Sequence, residues 1–207
     1  MKKLIDLMSK FGVTFLPKNK INFPLKIISS ISPVGINYYA GVSAQLKSAV
    51  ILAGLNSYGK TNIIEKEKSR DHTENMLLVN SKAIVIKKQN KKKIIKISGK
   101  SQLNPIDIQV PGDPSSAAFF VALTLLNKNS SIKIKNVGLN KTRLGFYDIL
   151  KKQRAKIKFK NLKKINNEIR GDIIVNSCKI KPINVNKSFY VSSTDEYPIL
   201  FVMAALA

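Results

Sequence analysis

Three polar openings in this 207-residue chain run directly into apolar stretches: Ser43 in "SAQLKSAVILAGL", Asp113 in "DPSSAAFFVALTLL" and Asp195 in "DEYPILFVMAALA". Ser and Asp are helix N-cap residues, and the first helical turn carries unsatisfied N–H groups at the positive end of the dipole. A helix that is apolar on most faces has to be enclosed, which leaves its polar start to meet a ligand, and an anion suits it. Ser43, Ala44 and Gln45 are the candidate ligand-facing set, although on the residues alone Ser43 also reads as a plain cap. Asp113, with Pro114 at the first helical position, reads as a structural cap. Asp195 has the same bland alternative ahead of Pro198. Arg70, in "KSRDHTE", precedes a further helix and is either a ligand contact or a surface residue beside an Asp71 cap. His72 reads as structural, and Cys178, after the strand-like "DIIVNS", as a bystander thiol.

The elements that must position these residues repeat. After the openings at Ser43 and Asp113, the chain continues alike as strand, polar loop with an arginine, amphipathic helix and alternating strand: "TNIIEKEKSRDHTENML" then "KAIVIKK", and "IKIKNVGLNKTRLGFYDIL" then "AKIKFK". The unit is strand–helix–strand–helix–strand–strand, with one buried and one exposed helix, and the class is α/β. Hairpins such as "AIVIKKQNKKKIIKIS" close the units, with Gln89 and Asn90 at the turn. The opening "LIDLMSKFGVTF" reads as the tail of the same plan, with Gly12 ending a helix. Pro105, Pro111 and Pro114 stiffen the connection between units, and Gln109 to Gly112 is the best boundary. Met1 starts inside a helix and Ala207 stops inside an apolar one, so both ends are expected to be truncated.

A net charge of +24 suggests nucleic acid. Only four of the 36 basic residues are arginine (Arg70, Arg143, Arg154, Arg170), however, and the lysines alternate with apolar residues in strand-like runs without interleaved aromatics. That pattern is a solvated strand face, so no specific nucleic-acid partner is expected. No apolar run approaches the ~20 residues of a membrane span, and Asp6 interrupts any signal peptide, so no membrane role is expected. One cysteine excludes an intrachain disulfide and suits a cytoplasmic setting.

Five ordered stretches, "SAQLKSAVILAGL", "SRDHTENML", "VPGDPSSAAF", "NKTRLGFYDIL" and "DEYPILFVMAA", closely resemble the 5-enolpyruvylshikimate-3-phosphate (EPSP) synthases, and together they cover nearly the whole chain. The resemblance implies a two-lobed enolpyruvyl transferase fold of three such units per lobe, with residues 1–109 in the first lobe, 110–207 in the second and the active site between them. It implies transfer of the enolpyruvyl group of phosphoenolpyruvate to the 5-hydroxyl of 3-phosphoshikimate, by addition and elimination, with release of phosphate and no metal or cofactor. On the family's pattern Ser43, Ala44 and Gln45 bind 3-phosphoshikimate, and Gln45 also reaches phosphoenolpyruvate. Arg70 meets the same phosphorylated substrate, and Asp195 contacts the ring hydroxyls and accepts the proton of the 5-hydroxyl. Glu196 is expected to point elsewhere, and Arg143 to serve as a loop or interlobe contact.

The chain departs from that pattern in two ways. Where the family has glycine after the second helix of a unit, this chain has Ser81 and Arg154, which implies corners strained by about 1 kcal/mol. The family's other phosphate-binding and acid-base residues fall outside the chain, so it is expected to be inactive alone and a monomer when full length. The alternatives are the UDP-N-acetylglucosamine enolpyruvyl transferase of cell-wall synthesis and a basic nucleic-acid-binding protein.

Overall fold

A computed structural model describes residues 1–206 except Ser81, Lys91 and Asn184. The expectations for a strained corner at Ser81 and an uncapped end at Ala207 therefore lie outside the described residues. The chain divides into two compact units, Met1–Ile106 and Asp107–Ala207.

The first unit begins with helix α1 (Lys2–Ser9) and an antiparallel ribbon of β1 (Thr14–Leu16) and β2 (Lys26–Ile28). Gly12 ends α1 at φ +87°, with Val13 N–H reaching back 3.2 Å to the Met8 carbonyl, a turn that needs the left-handed backbone. The repeat predicted from sequence follows in full: β3 (Asn37–Ala40), α2 (Ala44–Asn56), β4 (Lys60–Glu65), α3 (His72–Leu77), β5 (Ile84–Gln89) and β6 (Lys92–Ser98). The sheet order is β3-β4-β6-β5, parallel between β3 and β4 and antiparallel elsewhere. α2 is the crossover that a parallel pair requires. Val50 and Ile51 of α2 meet Ile63, Ile84, Ile95 and Ile97 of the sheet, all within 1 % of full burial. Gly54 permits the close approach, since a Cβ there would stand 2.9 Å from the Thr61 side chain. Along β6, Ile95 and Ile97 are buried while Lys96 is exposed, so the lysine alternation is a solvated strand face.

The second unit contains α4 (Pro114–Leu126), β7 (Ser131–Gly138), α5 (Gly145–Lys152), β8 (Ile157–Ile165), β9 (Glu168–Asn176) and α6 (Tyr197–Ala205), with sheet order β7-β9-β8. The strand that the repeat predicts before α4 is reduced to one parallel bridge, Gly112 to Val137. Pro105, Pro111 and Pro114 remove backbone donors from that stretch. β7 and β8 each contain a bulge, at Asn136 and Asn161, and both clasp Asp172 of β9. The Asn136 N–H donates to its carboxylate at 3.1 Å, the Asn161 amide at 2.8 Å and Lys133 Nζ lies 3.1 Å away.

The expected division into a buried and an exposed helix is blurred here, because both helices bury one face. The amphipathic α5 buries Phe146, Tyr147 and Leu150 completely, whereas the apolar α4 leaves Phe119, Phe120 and Leu123 exposed, and α6 exposes Phe201 and Val202. Each of these apolar helices meets neighbours on one side and leaves its other apolar face uncovered.

Candidate active site

Ser43 caps α2 as expected, accepting from the Leu46 N–H at a long 3.4 Å and donating to Gln45 Oε1 at 3.4 Å. The first intrahelical bond, Lys47 N–H to the Ser43 carbonyl at 3.2 Å, lies beyond the Ala44 and Gln45 amides. Those two amides belong to the orphan donors of a helix start, at the positive end of its dipole. Ser43 and Ala44 are half-buried and Gln45 is exposed.

Arg70, half-buried, emerges just before α3. The start of α3 is stitched to the first two turns of α2, because the Ser48 and Thr73 hydroxyls meet at 2.7 Å and Lys47 Nζ lies 2.8 Å from Glu74 Oε1. Ser43, Ala44, Gln45 and Arg70 are therefore carried by two helix starts bound to one another. His72 is the exposed first residue of α3.

Below this mouth lies a cluster that the reading of motifs missed. Lys47 is fully buried and also reaches Glu65 Oε1 at 2.7 Å, while Lys93 stands 3.1 Å from Glu74 and 3.7 Å from Glu65. Burial raises the Glu65 pKa, but hydrogen bonds from Lys47 and Ser69 and the charges of Lys47 and Lys93 outweigh it and hold the carboxyl below its usual range. The signal was available: Lys47 precedes Val50 and Ile51 by three and four residues, which puts it on the core face. A lysine buried there has to find carboxylates.

In the second unit Asp195 sits within a short 3₁₀ turn, Thr194–Glu196, and its carboxylate is exposed. It is not the N-cap of α6 that the bland reading supposed, because Glu196 holds that place. Arg143 is the organiser that the sequence reading undervalued. Its Nη2 lies 2.8 Å from Asp113 Oδ1 and 4.0 Å from Asp195 Oδ2, and donates to Ser115 Oγ at 2.6 Å. Ser115 in turn donates to the buried Glu196. Asp113 caps α4 through the Ser116 N–H at 2.8 Å. Its burial raises the carboxyl pKa, but the Ser116 bonds and the Arg143 charge outweigh this and lower it. Tyr147 donates to the Pro114 carbonyl at 2.6 Å, and burial, then the charges of Glu196 and Asp113, push its phenol far up. The result is an accessible carboxylate backed by a guanidinium with two other polar partners. Cys178 is a half-buried free thiol against the second core. Among the described residues no group of three or more His, Cys, Asp or Glu side chains is arranged to hold a metal, and no helix is long and apolar enough to cross a membrane.

Residues 1–207 match the family model "EPSP synthase (3-phosphoshikimate 1-carboxyvinyltransferase)". The chain belongs to the EPSP synthase family. It is 40 % identical over its whole length to 47 % of the 3-phosphoshikimate 1-carboxyvinyltransferase of Novosphingobium aromaticivorans. It is 38 % identical to 48 % of the protein of that name from Bacillus subtilis, again over all of this chain. The solved EPSP synthase of Acinetobacter baumannii superimposes with a TM-score of 0.80 at 33 % identity, over 99 % of this chain and 46 % of that one. The enolpyruvyl transferase NikO of Streptomyces tendae shares the fold at a TM-score of 0.72 and 15 % identity, over 100 % of this chain and 49 % of that one. The α/β architecture is thus that of the enolpyruvyl transferases, and the chain spans about half the length of the curated relatives it matches.

Proposed function

We propose that this chain carries the 3-phosphoshikimate-facing part of an EPSP synthase, which moves the enolpyruvyl group of phosphoenolpyruvate to the substrate's 5-hydroxyl and releases phosphate. The observation that supports this most directly is the joined pair of helix starts bearing Ser43, Ala44, Gln45 and Arg70, in a chain that matches the EPSP synthase family throughout. The Ser43 hydroxyl and first-turn amides would receive the 3-phosphate, where dipole and N–H groups favour a dianion. Arg70 adds the cation, and Gln45 reaches the ring and the phosphoenolpyruvate.

Asp195 is assigned as the proton acceptor. The 5-hydroxyl must lose its proton as its oxygen bonds to the enolpyruvyl carbon, and the exposed carboxylate on its turn is of the right chemical type. Arg143 holds the neighbouring turns together and so fixes where that carboxylate stands. The two units are read as parts of two lobes, in a cytoplasmic, monomeric enzyme whose two small anionic substrates need no metal or cofactor here.

The binding half of the proposal is testable on this chain. Titrating ¹⁵N-labelled protein with 3-phosphoshikimate is expected to shift the amides of Ala44, Gln45 and Arg70 saturably, with Arg70→Ala weakening the effect at least ~10-fold, as loss of a charge-assisted contact implies. Shifts that follow total salt and ignore the shikimate ring would sink it. In a chain extended to its relatives' length, Asp195→Ala is expected to cut phosphate release by roughly 10²–10⁴.

A further inference from the structure

The buried cluster under the α2 mouth is a poor device for stability, because placing ions out of water costs about as much as their pairing returns. Its connectivity indicates another role. Glu65 Oε1, at the end of β4, accepts three hydrogen bonds: from Lys47 Nζ at 2.7 Å, from Ser69 Oγ at 2.8 Å and from the Ser69 N–H at 3.2 Å. The intervening Lys66, Glu67 and Lys68 are exposed, whereas Ser69 is buried, so one carboxylate oxygen pinches the loop shut. The next residue is Arg70.

We propose that Lys47, Glu65 and Ser69 form a tether that positions Arg70 against the first turn of α2. Lys47 stands in that first turn, where a lysine would ordinarily be taken for an anion ligand. It is instead fully buried, with Nζ committed to Glu65 and Glu74. Its charge is spent inward: one bond fixes the β4 end and, through Ser69, the backbone that delivers Arg70, and the other fixes α3, which Arg70 precedes. Lys93, only a fifth exposed, joins from β6 and brings the group to two cations and two carboxylates. That Arg70 then serves 3-phosphoshikimate rests on the function proposed above; the tether does not.

Lys47→Met is the obvious variant and leaves two buried carboxylates short of a cation, so it tests folding first. Ser69→Ala removes only the hydroxyl, and Ser69→Thr restores it. In the ligand-free 207-residue chain, Ser69→Ala is expected to lower the backbone order parameter of Arg70 from the rigid range, about 0.85, to below about 0.6. The core amides of Val50, Ile63 and Ile95 should stay as they are, and Ser69→Thr should recover the wild-type value. The affinity for 3-phosphoshikimate should fall about fivefold in Ser69→Ala and return in Ser69→Thr, the size of one hydrogen bond. An Arg70 that stays equally ordered in Ser69→Ala overturns the tether. A wild-type chain that ignores 3-phosphoshikimate while its Arg70 loosens in Ser69→Ala supports the tether and removes the substrate reading instead.

Discussion

Arg154 holds the corner after α5 at φ +64°, donating its N–H to the Lys151 carbonyl at 2.9 Å. Asparagine, which tolerates this backbone region, fills most of the other non-glycine positions with positive φ among the described residues: Asn19, Asn90, Asn129, Asn136, Asn161, Asn166 and Asn167. Arg154 has no such tolerance, and its side chain is exposed. Arg154→Gly is therefore expected to stabilise the protein by up to about 1 kcal/mol, read as a higher urea midpoint at unchanged slope. This corner was legible in the sequence because a left-handed helix end has a one-residue signature. The Arg143 contacts were not, because Asp113 and Asp195 lie 30 and 52 positions away and only the fold brings them to one guanidinium.

At the scale of elements, the Asp172 clasp ties β7 and β8 to the central β9 at their two bulges. Hydrogen bonds from Asn161 and Asn136, then Lys133, hold its carboxyl down at about 2, against an ordinary value near 4. A depressed carboxyl contributes its stability above the unfolded value and loses it as pH falls through the folded one, so the clasp should loosen between about pH 4 and pH 2. Titrating the Asp172 carboxyl by NMR should give a midpoint near 2, and Asn161→Ala should move it toward 4. Element order was readable because caps, apolar runs and alternating lysines are local signals. How much of each helix ends up covered was not: α4 reads as buried from composition and α5 as exposed, yet each buries one face, because burial depends on what lies on the far side of a helix. The strand expected before α4 failed for a local reason that could have been weighed, namely the prolines at 105, 111 and 114.

For the whole molecule, two surface features oppose each other. The charge of +24 repels copies of the chain, while Phe119, Phe120 and Leu123 on α4 and Phe201 and Val202 on α6, each at least half exposed, invite association. Salt screens the repulsion and leaves the apolar attraction, so self-association should rise with ionic strength. Phe119→Ser with Phe201→Ser should suppress both that rise, measured by sedimentation, and the binding of an apolar fluorescent dye. Each exposed substitution should change folding stability by no more than about 0.5 kcal/mol.

Lys47 also gives the chain a built-in witness. Among the described residues it is the one buried lysine in a protein crowded with accessible ones. An acylating reagent that reacts with free amines will mark the others on the folded chain and pass over Lys47. The peptide from Ser43 to Tyr58 then records, in its mass alone, how often the first unit has opened to solvent, with no reporter group added to the molecule.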